Sequence, residues 1–237
     1  MSPAEFPGAL LADPTWLADR IDDTGARWAV TDRRVAATLW WYSASSTLLA
    51  PVSADLVRTG TAPDPSLTGL TVAVTPDGAL TSIRGGGRVT DPSLLAAGLR
   101  EALGAVVDAL AEVSGAAPAA LWAVASDSLG NRALEAGAAA GSPAAGSSLA
   151  ARLAELVGPP LPRPRFVDVG AGGIDAADPA ASPATGTRRY LRRNSCCLIY
   201  RAPALVPPGD DDAAERAKCV SCPHQLPEVR HARLTAL

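Results

Sequence analysis

The sequence predicts a mainly α-helical (α+β) fold with one small antiparallel β-hairpin and an irregular, cysteine-containing C-terminal tail. Three observations support this prediction. Apolar residues recur at three- and four-residue intervals through much of residues 1–157, which is the spacing of a buried helix face. Only one pair of short β-branched runs flanks a tight-turn sequence. All four cysteines lie in residues 188–237.

Two helices are predicted near the start of the chain. The Asp13-Pro14 pair combines an N-cap residue with a proline at the first helical position, so we expect a helix from there to near Gly25. A longer helix follows from about residue 27 to residue 49, and Pro51 is expected to end it. Apolar residues of the second helix recur at helical spacing (Trp28, Val35, Leu39 and Tyr42), which indicates that it packs in the core.

The middle of the chain predicts the hairpin and three further helices. Residues 70–84 contain two runs with β-branched side chains around a Pro-Asp-Gly turn. Asp91-Pro92 marks the start of the next helix, in which leucines and valines form an apolar stripe. Two more helices are predicted over residues 117–139 and 148–157.

The composition divides the chain into three segments. Residues 1–157 form the mostly helical body, and residues 158–187, rich in Pro, Gly and Ala, are interpreted as a linker or surface loop. Residues 188–237 form a basic tail with eight arginines, one lysine and five acidic residues, whereas residues 1–187 hold 12 arginines and 19 acidic residues. A basic tail on an acidic body indicates that the tail has a role of its own.

Length and composition exclude several classes of protein. With 48% hydrophobic and 19% charged residues, the 237-residue chain is globular rather than disordered. Its net charge of −3 argues against a general nucleic-acid binder. The longest uncharged stretch, residues 35–54, contains too many hydroxyl side chains for a transmembrane segment and is interpreted as a buried helix. We therefore expect a cytoplasmic protein, and a peripheral position at the inner membrane face is compatible with this.

The cysteines form the pattern C-C-x21-C-x2-C. Cys219 and Cys222 have the spacing at which two thiolates reach one metal, whereas the adjacent Cys196 and Cys197 require a bent backbone to face the same way. In a reducing compartment such a cluster favours metal binding or redox chemistry over structural disulfides.

Four interpretations of the cysteines remain open on spacing alone. A [2Fe–2S] cluster takes four thiolates and accepts a vicinal pair more readily than one tetrahedral ion does. A structural zinc site also takes four thiolates. The third interpretation is a redox-active Cys-x-x-Cys, but the βαβ pattern that usually accompanies one is absent. The fourth is four inert, buried cysteines, which their clustering in the tail makes improbable.

Arginines crowd the first cysteine pair, with five in residues 188–201. They form either a solvated basic face or an electrostatic environment for a dianionic cluster, whose reduced state they would stabilise. Arg192, Arg193 and Arg201 are the candidates for tuning such a cluster or for steering an anionic substrate.

At this tail the sequence resembles the FhuF-like ferric iron reductases, the ferric-siderophore reductases. The resemblance lies in an Arg-rich lead into Ser-Cys-Cys, an apolar or aromatic pair followed by Arg, and a closing Cys-x-x-Cys-Pro, which here are residues 192–201 and 219–223. It covers some thirty-five residues strongly, and the body only weakly. The residues between the two cysteine pairs, 198–218, form a longer segment than in the family and look like a surface insertion, which chain-closure entropy tolerates well.

The resemblance implies that Cys196, Cys197, Cys219 and Cys222 bind a [2Fe–2S] cluster. It further implies one-electron reduction of a ferric siderophore in the cytosol, with electrons from a donor such as a ferredoxin or a flavin reductase. The helical body would then supply the siderophore surface. The Trp40-Trp41-Tyr42 cluster is a candidate lining for it, although such a cluster is more often core.

Two alternatives to a reductase stay open. The first is a zinc-stabilised, non-enzymatic binding module, and the second is an iron–sulfur electron carrier or sensor without a siderophore substrate. His224 follows the Cys-x-x-Cys-Pro sequence, but four cysteines make a histidine ligand unnecessary. His231 is assigned no role.

Overall fold

The helices confirm the predicted mainly α-helical class. The computed structural model describes residues 3–207 and 209–236, and 55% of the chain is helical. The described residues form seven α-helices: α1 (Pro14–Trp28), α2 (Arg33–Thr59), α3 (Pro92–Ser114), α4 (Pro118–Ala139), α5 (Pro143–Val157), α6 (Asp211–Ala217) and α7 (Pro227–Thr235).

The strands form three small antiparallel sheets. Their bounds are β1 (Ala4–Pro7), β2 (Ala62–Pro63), β3 (Leu70–Val74), β4 (Leu80–Gly85), β5 (Arg88–Val89), β6 (Arg165–Gly170), β7 (Gly173–Ala177) and β8 (Arg188–Arg192). The predicted hairpin is confirmed as β3 and β4, and β1 pairs with β3 to give the order β1-β3-β4. The second sheet pairs β2 with β5, and the third has the order β7-β6-β8.

Two predicted helix starts are confirmed by their caps. The Asp13 carboxylate accepts a hydrogen bond from the Trp16 backbone N–H at 2.7 Å, and the Asp91 carboxylate accepts one from the Ser93 N–H at 2.7 Å. In each case a proline takes the first helical position, where its missing N–H costs no hydrogen bond.

The predicted end of the second helix is wrong. Pro51 lies inside α2, which continues to Thr59 and ends where Gly60 adopts a left-handed φ of 71°. Proline removes one helical hydrogen bond, but Leu48, Leu49 and Val52 around it are buried in the core. The burial of these apolar side chains outweighs the local loss.

The predicted linker at 158–187 is also corrected, because it contains β6 and β7. Phe166 and Val169 of β6 are buried, and the proline- and glycine-rich flanks concealed this short strand in the composition. The sheet packs against α4 through β8. The contact is so close that a Cβ on Gly130 would lie 2.5 Å from Leu191 Cδ1. This contact brings the start of the tail to the helical body.

The core is built around α2 and α4. Trp41 of α2 is fully buried and donates its indole N–H to the Leu121 carbonyl of α4 at 2.9 Å. Trp40 is also buried, so these two tryptophans belong chiefly to the core. In the described part of the chain, no helix combines the length and the apolar character needed to cross a membrane.

Candidate functional site

The fold brings the four cysteine thiols together. Cys196 and Cys197 follow the end of β8, and Cys219 and Cys222 lie between α6 and α7. The Cys196 and Cys222 sulfurs are 3.8 Å apart, and the Cys197 sulfur accepts hydrogen bonds from the Cys196 and Cys219 thiols. The long segment between the two pairs therefore does not separate them. Their role as ligands stays a prediction.

The thiols are connected in a row, in the order Cys222, Cys196, Cys197, Cys219. Each cysteine of the vicinal pair thus contacts one cysteine of the Cys-x-x-Cys pair. Among the described residues, no group of three or more His, Cys, Asp or Glu side chains converges on a single metal position. The arrangement is one of two linked pairs.

A left-handed turn bends the chain after the vicinal cysteines. Leu198 has a φ of 63°, a conformation that costs a residue with a Cβ roughly 1–2 kcal/mol. The turn aims the Leu198 backbone N–H at the Cys196 sulfur, 3.3 Å away, and the Ile199 N–H at the Cys197 sulfur. This is the bent backbone that adjacent thiols need in order to face one site.

Asp127 of α4 anchors the residues before the cysteine pair. Its carboxylate is fully buried and accepts hydrogen bonds from the Asn194 N–H at 2.8 Å and from the Ser195 N–H and hydroxyl at 2.9 and 2.6 Å. The Arg193 guanidinium completes its set of partners at 3.4 Å. Asp127 was not among the residues predicted from the sequence, although a carboxylate in the otherwise uncharged first half of α4 was a usable signal.

Arg193 joins this anchor to the thiols. Its side chain is buried, its Nη1 donates to the Cys219 sulfur at 3.2 Å, and its guanidinium lies over the Tyr42 ring at 4.8 Å. Burial opposes the charge, but the neighbouring Cys219 sulfur, Tyr42, the Cys197 sulfur and Asp127 raise the pKa of Arg193 overall. Its Nη2 is buried and has no partner among the described residues. The site therefore has an unused donor beside its sulfurs.

The surroundings favour a thiolate at Cys197. Hydrogen bonds from the Cys196 and Cys219 thiols lower the pKa of Cys197 far below its usual range, and the Ile199 N–H and the Arg193 charge contribute although burial opposes them. The pKa values of Cys196 and Cys219 are raised, chiefly because their thiols donate hydrogen bonds to Cys197 and secondly because they are partly buried. The thiolate is the form of cysteine that acts as a nucleophile and as a metal ligand.

The other predicted residues lie around the thiols rather than on them. Arg192 is exposed at the end of β8, and Arg201 is exposed in a short 3-10 helix beside Tyr200. The exposed His224 ring packs against Tyr200 with ring centroids 5.9 Å apart. Of the three candidate arginines, only Arg193 hydrogen-bonds a thiol in the described residues.

Two cavities flank the cysteines. The larger, of about 540 Å³, lies between β6, β8, the Cys-x-x-Cys-Pro loop and α7, and we call it the arginine cleft because Arg165, Arg192, Arg193 and Arg230 line it. The smaller, of about 310 Å³, is lined by Cys197 and Cys219 together with aromatic side chains, namely Trp28, Trp40 and Tyr42. Part of the predicted aromatic cluster thus faces the thiols as well as the core.

Comparisons with protein-family models, curated proteins and solved structures found no match to this chain. The function of the site is therefore inferred from its own side chains.

Proposed function

We propose that this protein binds a [2Fe–2S] cluster through Cys196, Cys197, Cys219 and Cys222 and reduces a ferric siderophore by one electron. The observation that supports this most directly is the chain of contacts that joins the four thiols beside Arg193, whose buried Nη2 has no partner among the described residues. A buried donor of positive charge is costly without an acceptor. A thiolate-bound, dianionic centre would supply that acceptor.

The paired arrangement of the thiols fits a two-metal centre. Each iron of such a cluster takes two protein ligands, whereas structural zinc needs four thiolates around one ion. Contacts join Cys196 to Cys222 and Cys197 to Cys219, and a further contact joins the vicinal thiols to each other. We infer one ligand pair for each iron from the first two contacts, and the metal count tests this against the zinc-stabilised module.

Residues of the chain would fix the position of the thiols and supply positive charge beside a bound cluster. A bound cluster would supply one-electron chemistry at a potential set by its surroundings. Asp127 fixes the backbone just before the vicinal thiols, and Arg193 places a permanent positive charge against Cys219. Cys197 and Cys222 are buried, whereas Cys196 and Cys219 are partly exposed, which gives electrons a short way to the surface.

The proposed reaction takes one electron from a donor such as a reduced ferredoxin or a flavin reductase. The ferric ion of the siderophore accepts it and becomes Fe(II), and protons taken up by the siderophore oxygens assist release. Oxygen-donor chelators hold the hard ferric ion much more tightly than Fe(II). Each 59 mV of driving force changes this one-electron equilibrium about tenfold. The cytosol is the proposed location.

The first test is the visible absorption spectrum of protein purified without oxygen, recorded before and after dithionite, with iron, acid-labile sulfide and zinc counted. We expect about two irons and two sulfides per chain, because four thiolates hold one [2Fe–2S] cluster. The absorbance should bleach on reduction. The reduced protein should then convert a ferric siderophore to Fe(II), measured with a ferrous-specific dye.

Serine substitutions test the ligands one by one. Each of Cys196→Ser, Cys197→Ser, Cys219→Ser and Cys222→Ser should lose most of the absorbance, and Val220→Ala, an exposed change in the same loop, should keep it. A colourless protein containing zinc would support the binding module instead. A coloured protein that does not accelerate siderophore reduction would be an electron carrier or sensor.

A further inference from the structure

The arginine cleft has the size and the lining of a small-molecule site. Its volume of about 540 Å³ lies within the range of roughly 300–1,000 Å³ usual for ligand pockets. Apolar side chains from β6, β7 and α7 form one part of the lining, including Val167, Ile174 and Leu234. The arginines form the other part, so the cleft combines an apolar surface with strong positive charge.

Of the four arginines that line the cleft, only Arg193 pairs with a carboxylate among the described residues. No Asp or Glu is among its described lining residues, and in the described chain no ion pair joins Arg165, Arg192 or Arg230 to a carboxylate. Nine arginines outside the cleft do pair with carboxylates. The cleft therefore places three arginines that have no ion pair among the described residues around one cavity beside the thiols.

Two of these arginines are held opposite each other at a cost to folding. Arg165 of β6 and Arg192 of β8 are direct cross-strand partners, and like charges in that position destabilise a sheet. Arg165 is also oriented, because its Nε donates to the Asn194 side-chain oxygen at 3.0 Å. An anion between the two guanidinium groups would turn this repulsion into binding energy.

The cleft is continuous with the cysteine site. Ser221 and Pro223, the neighbours of Cys222, line it, and so does Arg193, which donates to the Cys219 sulfur. Asn194 holds Arg165 on one side, and the buried Asp127 holds the Asn194 N–H on the other. A ligand in the cleft would therefore lie against the loop that carries the thiols.

We propose that the arginine cleft binds anionic ferric chelates, those whose oxygen donors are catecholates or carboxylates, in preference to neutral hydroxamate chelates. This inference rests on the proposed function and names its substrate class. Arg192 and Arg230 make charge-assisted hydrogen bonds to the outer oxygens of the chelate, while the apolar lining contacts its organic framework. Arg165 completes the positive surface across the strands.

Gallium(III) chelates test the binding without electron transfer, because Ga(III) has the charge and nearly the size of Fe(III) but is not reduced under these conditions. The full-length, cluster-loaded protein is titrated calorimetrically with a triply anionic gallium tris-catecholate and with a neutral gallium tris-hydroxamate. We expect the anionic chelate to bind about tenfold more tightly or better, and the difference to shrink between about 0.05 and 0.5 M NaCl because salt screens the charges.

Two double variants, each of which removes two positive charges, locate the site. Arg192→Gln/Arg230→Gln should bind the gallium tris-catecholate about tenfold more weakly and the neutral chelate unchanged. Arg34→Gln/Arg152→Gln, which removes two exposed arginines outside the cleft, should bind both as the parent does. An unaltered cluster spectrum shows that the variants are folded. Arg165→Gln, tested alone, should weaken anionic binding in the same direction.

Three results would overturn the inference: equal binding of both gallium chelates, loss of binding in the Arg34/Arg152 control as well, or competition by inorganic phosphate as strong as by the chelate. Different results would contradict the proposed reductase activity and the proposed selectivity of the cleft. A protein that binds gallium tris-catecholate in the cleft but does not reduce its ferric counterpart is no reductase. A protein that reduces neutral and anionic chelates equally well is a reductase without this selectivity.

Discussion

Two buried arginines at opposite ends of β8 differ in how completely they are paired. Arg189 makes a bidentate ion pair with Asp168, both contacts at 2.8 Å, and its remaining nitrogen donates to Ser147 at 2.9 Å and to the Ala181 carbonyl at 2.7 Å. Arg193 reaches Asp127 through one contact at 3.4 Å, shares its charge with a thiol, and leaves Nη2 without a partner among the described residues.

The difference separates an arginine whose hydrogen bonds are complete within the fold from one that keeps a donor unused, as the proposed function requires. The Arg189 pair joins β6, β8 and α5 and uses all three of its nitrogens, so it needs nothing further. The Arg193 pair is incomplete in the described residues, because its Nη2 is buried without an acceptor while its Nη1 donates to Cys219. Asp127 is not free to compensate, because it is already bound to the Asn194 and Ser195 backbone.

The largest expected effect comes from breaking each pair at its carboxylate. Asp127→Asn should lower the free energy of unfolding by about 3–5 kcal/mol, because it leaves a buried guanidinium without its counter-charge, and it should also abolish cluster retention. Asp168→Asn should destabilise the fold in the same direction and leave the visible spectrum of the folded protein unchanged. Chemical denaturation and absorbance measure the two effects.

If Asp127→Asn instead retains the cluster and loses it at the same denaturant concentration as Asp168→Asn, then Asp127 acts only through global stability.

A smaller effect is expected on the reduction potential. Arg193→Gln removes a positive charge that favours the more negative, reduced centre, so the potential should fall by about 60 mV, which corresponds to a tenfold change for a one-electron couple. Arg189→Gln should leave the potential unchanged, since the arginine at that end of the strand pairs with Asp168. Spectroelectrochemical titration of the folded variants measures both values. A shift of similar size in the two would mean that Arg193 acts only through the fold.

The smallest effect concerns the exposed arginine next to Arg193. Arg192→Gln should raise the free energy of unfolding by about 0.2–1 kcal/mol, because it removes the repulsion across the strands from Arg165. Arg165→Gln should give a similar gain, and the double variant little more than either one, which thermal or denaturant unfolding can determine. A loss of stability in both single variants would show that these arginines support the sheet rather than a ligand.

The sequence was most informative where structure depends on neighbouring residues. The capping aspartates and their following prolines predicted two helix starts, and the Pro-Asp-Gly turn predicted the hairpin. It was least informative where tertiary packing overrides local preference. Pro51 is tolerated inside α2 because its neighbours are buried, and β6 lies in a segment whose composition is that of a loop.

The same distinction applies to the site. The spacing of the cysteines singled out the four thiols, and the arginine count singled out the segment that contains Arg193. The partner of Arg193 was out of reach, because Asp127 lies 66 residues earlier and only the packing of α4 against β8 brings the two together. Arg165 faces Arg192 only because of the register in which β6 and β8 pair, and no local sequence pattern encodes that register.

The hold of Asp127 on the Asn194 and Ser195 backbone also has a consequence for the order of assembly in the cell. At about 5–20 residues per second, a ribosome adds the residues from Asp127 to Cys222 in several seconds to some twenty seconds. The aspartate and its helix are thus made well before the last thiol and can be packed in the body by then. Under the proposed function, the completed tail would dock onto this anchor before the cluster is loaded.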